Sequence, residues 1–152
     1  MILILGIGNT VRGDDGLGAA AVAALKASHL PNWAVSYRAV HQLTPELAAE
    51  IAECDAVIFI DAGVDLAPAE IRRIEISKSD DASAFTHFGT PNGLLATTER
   101  LYNKRVRGIL FTVGAATLEL GESLSPLVQA ALPALVTSVQ ETLEALMREQ
   151  MV

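Results

Sequence analysis

The sequence predicts an α/β three-layer sandwich, a twisted and mostly parallel five-stranded sheet flanked by four helices. Three observations carry that expectation. Short apolar runs ended by glycine or an acid alternate with helical segments along all 152 residues. Two of the runs, MILIL at 1–5 and AVIFIDAG at 56–63, are almost unbroken by polar residues, as in strands buried on both faces of a parallel sheet. The closing segment, 126–148, repeats Leu, Val and Ala at helical spacing.

Taken in order, 1–5 is the first strand and GIGNTVRGDDGLG, 6–18, is the turn that leaves it. An alanine-rich helix follows from 15 to 29, with Asp14 or Asp15 as its expected cap and Pro31 beyond its end. AVSYRAV, 34–40, alternates as a second strand. A short helix is expected at 44–55, with Thr44 as cap and Pro45 in the first turn. AVIFIDAG is the third strand, with Asp61 near its C-terminal end. AEIRRIEIS, 69–77, alternates apolar with charged residues, which suits a half-wet strand near an edge. The stretch 78–93 reads as loop, 91–103 as helix, 108–115 as the last strand, and TLELGESLSP as a second loop before the long helix from 126.

Composition limits the function. The length suits one domain over 1–152, and a hydrophobic content of 51% is too high for a disordered chain. A formal charge of −7 argues against nucleic acid or an anionic membrane as partner. One cysteine, Cys54, excludes a disulfide framework or a cysteine-rich metal site within the chain. The initial apolar run has no basic region before it and no stretch reaches membrane-spanning length, so a cytoplasmic location is expected. Oligomeric state leaves no signal in the sequence.

In an open α/β sheet, ligands bind beyond the C-terminal ends of the strands. That directs attention to 6–18, 61–65, 78–92 and 114–123. The first of these opens like a dinucleotide fingerprint, but the third glycine falls on Val11, and the acid expected after the second strand is missing. A phosphate loop requires Gly-Lys-Ser/Thr where Gly13, Asp14 and Asp15 stand. The glycines instead let the backbone turn tightly and deliver acids to the crevice. If the first and third strands are neighbours, Asp15 and Asp61 face one cleft, and His87, in the loop FTHFGTPNG, is the natural third member. Two carboxylates and an imidazole suit nickel, zinc or another divalent cation, and they equally suit acid–base catalysis. His29 and His41 read as solvated. Cys54 lies about 23 Å from Asp61 along an extended strand and reads as buried filler. No GxSxG elbow is present, and Ser79 and Ser83 have no motif around them.

Taken together, ILGIGNTVRGDDGLG, VIFIDAG, THFGTPNGLLATTERLY and GILFTVGAATLELGESLSP resemble the maturation endopeptidases of nickel–iron hydrogenases, in order and over nearly the whole chain. The resemblance implies a five-stranded sheet flanked by helices. It also implies removal of a C-terminal extension from the hydrogenase large-subunit precursor after nickel insertion. It makes Asp15, Asp61 and His87 both the catalytic and the metal-binding residues, with nickel supplied by the substrate, and gives Asp14 a structural role. His87 is the only histidine of its segment. A non-catalytic, nickel-sensing adaptor of the large subunit and a nucleotide-binding regulatory domain stand as the alternatives.

Overall fold

The computed structural model describes residues 1–28, 34–76 and 89–150. Among the described residues there are five strands: β1 (Ile2–Ile7), β2 (Val35–Val40), β3 (Ala56–Gly63), β4 (Ile71–Ile76) and β5 (Arg107–Gly114). Four helices accompany them among the same residues: α1 (Leu17–Ala27), α2 (Leu47–Ala52), α3 (Pro91–Tyr102) and α4 (Pro126–Gln150). The strand order is β2-β1-β3-β5-β4. All pairs are parallel except β4 against β5, which is antiparallel.

The alternation of side chains along each strand divides the core in two. Ile2, Ile4, Ile58 and Ile60 point to the face covered by α1 and α4, where they meet Leu17, Leu25, Leu135 and Val139. Leu3, Leu5, Val57 and Phe59 point to the opposite face, against Leu47 and Ile51 of α2 and Leu94 and Leu95 of α3. Every one of these strand residues has no exposed surface, which is why their segments read as unbroken apolar runs. β4 lies at an edge, and its first five residues are not buried. The alternation seen in its sequence is that of a strand open to water.

Element ends follow local chemistry. Thr90 caps α3 by accepting the Gly93 N–H at 3.0 Å, Pro91 occupies the first helical position, and Asn103 closes the helix in the left-handed region at φ 53°. Two expected caps are not formed. Neither Asp14 nor Asp15 caps α1; they sit in a short 3-10 turn, Gly13–Gly16, and Gly16 precedes the helix without a side-chain hydrogen bond. Thr44 contributes its carbonyl to the N–H of Leu47 at 3.1 Å, and α2 has no side-chain cap. In the first case Asp14 is drawn away by stronger partners elsewhere.

Candidate functional site

β1 lies between β2 and β3, so the chain leaves its C-terminal end in opposite directions and opens a crevice there. The loop after β1 fills one wall. Gly8 has φ +143°, and a Cβ at this position would stand 1.9 Å from the Asp15 carbonyl oxygen. Only glycine lets the exit of β1 pass so close to the 3-10 turn. The Gly8 N–H donates to the Val40 carbonyl at 3.0 Å, tying the loop to the end of β2. At Gly18 a Cβ would meet the Ile7 nitrogen at 2.4 Å and the Ile60 carbonyl oxygen at 2.8 Å. That contact brings the start of α1 against both β1 and β3.

The adjacent acids in the turn face different ways. Asp14 has no exposed surface. Its Oδ2 accepts from the Ala116 N–H at 2.8 Å, the Thr117 N–H at 3.1 Å and the Ser125 hydroxyl at 2.8 Å, and its Oδ1 accepts from the Ser125 N–H at 2.7 Å. Burial pushes its pKa up, but these hydrogen bonds together outweigh burial and hold the carboxyl below its ordinary value. Asp14 therefore binds the first loop to the segment between β5 and α4. A backbone bridge beside it does the same: Gly13 N–H to the Gly121 carbonyl at 2.9 Å, and Gly121 N–H to the Val11 carbonyl at 3.0 Å. Asp15 is half-buried and turned into the crevice, where its Oδ2 accepts the Asn9 N–H at 2.7 Å.

Asp61 enters from β3. It is in register with Thr112 of β5, and its Oδ1 accepts the Thr112 hydroxyl at 2.9 Å. Burial pushes its pKa up from 3.8 to about 6; the Thr112 hydrogen bond opposes the rise, while the charges of Asp15 and Asp65 add to it. Among the described residues no cation acts on Asp61. Asp15 and Asp61 are thus brought within electrostatic reach in one crevice, as neighbouring first and third strands require. A carboxyl that loses its proton near pH 6 can donate or accept one close to neutrality, and two carboxylates in one crevice offer the oxygen donors that divalent cations take.

His87, Ser79, Ser83 and His29 lie outside the described residues. Among the described residues no three His, Cys, Asp or Glu side chains stand close enough to hold a metal ion. Cys54 is buried in the turn before β3, donates its thiol to the Glu50 carbonyl at 3.4 Å, and has its pKa raised chiefly by burial. His41 is exposed, as a solvated residue would be, yet it lines a cleft with Asp15, Asn9, Arg12 and Leu118. Sequence reasoning missed three contributors. Thr112 was signalled only by a lone hydroxyl near the end of an apolar strand. Asn9 acts through its backbone, which leaves no trace in residue type. Ser125 was legible as a helix start, not as the partner of an acid 111 residues away.

No family model and no curated protein matches this chain. Solved structures do. The hydrogenase maturating endopeptidase HybD from E. coli superposes with a TM-score of 0.79 at 25% identity, over 95% of this chain and 92% of that one. The hydrogenase 2 maturation peptidase from a Thaumarchaeota archaeon gives 0.69 at 25% identity, over 93% and 97%. The [NiFe] hydrogenase maturation protease HycI from Thermococcus kodakarensis shares the fold with a TM-score of 0.73 at 23% identity, over 94% and 92%. The chain is a structural relative of these peptidases across nearly its full length.

Proposed function

We propose that this chain is a hydrogenase maturation endopeptidase, which removes the C-terminal extension of a large-subunit precursor. The observation that carries the reading is the Asp15–Asp61 pair in the crevice beside β1, on a fold shared end to end with peptidases of that activity. A nucleotide-binding role is not favoured: the strand-to-helix turn presents the Asp15 carboxylate where a phosphate would need donors.

The precursor brings nickel as part of the substrate. Asp15 and Asp61 supply two oxygen ligands, and His87 is assigned as the third. Such a set lacks the thiolates that would retain the ion, which suits a contact made once per substrate. Held by Asp15, Asp61 and His87, nickel would mark a precursor ready for cutting and would supply Lewis acidity at the scissile carbonyl. Asp61 is the proton carrier in this scheme: before nickel is bound, burial pushes its pKa up to about 6. Ionised, it takes a proton from the attacking water; protonated, it returns that proton to the departing amine. Thr112 holds Oδ1, which leaves Oδ2 as the oxygen open to the substrate among the described residues. Asn9 fixes Asp15 through its N–H.

The test is incubation with nickel-loaded and nickel-free precursor, followed by mass measurement of the released tail. Release from the loaded form alone is expected. Tight binding without release would instead identify a nickel-sensing adaptor. Full processing by an Asp15→Ala, Asp61→Ala or His87→Ala variant would strike that residue from the scheme.

A further inference from the structure

We infer that Arg12 and His41 form a carboxylate-binding subsite that positions the substrate peptide beside Asp15. The inference rests on the peptidase reading and adds a specificity determinant to it. Asn9, Arg12, Asp15, His41 and Leu118 line one open cleft of about 320 Å³. A peptide that presents its scissile bond to Asp15 and Asp61 has this cleft as its neighbour.

The backbone under both residues is fixed. Arg12 donates its N–H to the Asn9 carbonyl at 3.1 Å and forms an isolated bridge with Gly121. His41 follows Val40, whose carbonyl accepts the Gly8 N–H at 3.0 Å. The side chains are uncommitted. Asp15 shares the cleft with Arg12 but spends its Oδ2 on the Asn9 N–H, and among the described residues the Arg12 guanidinium and the His41 imidazole have no hydrogen bond or ion pair. By contrast, Arg38, Arg72, Arg105 and Arg107 all have carboxylate partners. An arginine and a histidine that share one cleft without a partner among the described residues, in a chain of net charge −7, offer N–H donors to an anion. Arginine binds carboxylate through two parallel N–H donors. Leu118, with 36% of its surface accessible, adds an apolar wall to the same cleft.

The carboxylate comes either from an acidic side chain of the precursor or from its terminal carboxyl group, and the experiment separates the two. Steady-state processing of nickel-loaded precursor is measured for wild type, Arg12→Ala, Arg12→Lys and His41→Ala. Each acidic residue of the tail is changed singly to its amide, and one substrate carries a C-terminal amide. Arg12→Ala is expected to lower kcat/KM about tenfold, chiefly through KM, with Arg12→Lys recovering only part because it lacks the two-pronged geometry. The substrate change that costs wild type the same factor, and costs Arg12→Ala nothing more, identifies the source. Unchanged KM in both Arg12→Ala and His41→Ala would overturn the subsite. Titration of the protein with the free tail peptide, read at the Arg12 Nε–H resonance by NMR, keeps the two ideas apart. A shift lost on neutralising the peptide carboxylate supports the subsite even if wild type releases no tail, in which case the peptidase reading alone fails. No shift under any condition sinks the subsite.

Discussion

Replacing Asp61 by asparagine should end processing while making the protein more stable at neutral pH. The carboxyl loses its proton at about 6 in the fold and at 3.8 in the unfolded chain. Below 3.8 both states are protonated and the group has no effect on their balance. Between 3.8 and 6 the unfolded chain ionises first, so stability falls as pH rises; above 6 the loss is complete. At about 1.4 kcal/mol per pH unit, the ionised side chain costs the fold about 3 kcal/mol, an upper figure for a group that is only half-buried. Asparagine keeps an oxygen to accept the Thr112 hydroxyl and carries no charge at any pH. Urea unfolding of both proteins from pH 4 to pH 8 is the assay. The stability gained by Asp61→Asn should be near zero at pH 4, grow to about 2–3 kcal/mol by pH 7, and level off. For a chain of this size that corresponds to a rise in Tm of about 5–10 °C at pH 7.5. A difference independent of pH, or a variant less stable than wild type at pH 7.5, would refute the placement of a strained carboxylate in the crevice.

Other perturbations follow from the same geometry. Thr112→Val removes the hydrogen bond that holds the Asp61 pKa down, so the acid limb of kcat/KM, expected near pH 6, should move upward, at a stability cost of about 1 kcal/mol. Asp14→Ala leaves three backbone N–H groups without their acceptor and should cost about 3 kcal/mol by denaturant unfolding. Because the Asp14 pKa is lowered by folding, its contribution is present above about pH 4 and is lost below it. Gly8→Ala should destabilise by about 1–3 kcal/mol for its backbone strain alone and, by displacing Asp15, should abolish tail release measured by mass spectrometry. Nickel alone should raise the Tm of wild type and leave that of Asp61→Asn unchanged, as expected of a ligand that binds only the folded pair.

The fold was legible because its strands are buried on both sides. A residue such as Phe59 or Ile60 cannot be polar without losing its place in the core, so β3 was readable from 56 to 63 and was found at those bounds. The edge position of β4 showed in its alternation, since only one face needs to be apolar. Helix starts were less legible. Asp14 is a good capping residue by type, and nothing local reveals that four donors more than 100 positions away compete for it.

Residue type and order by themselves settled the architecture and pointed to Asp15 and Asp61, because an acid near the end of a buried strand, or in a glycine-rich turn beside one, stands where such sheets bind ligands. Only the assembled sheet decided what those acids are. Setting β1 beside β3 put one carboxylate in the field of the other. Pairing Asp61 with Thr112 fixed which oxygen is occupied, and closing the loop over Gly8 placed His41 and Arg12 around Asp15. Burial, charge coupling and shared clefts arise between segments far apart in sequence, and they come into being only when the chain has folded.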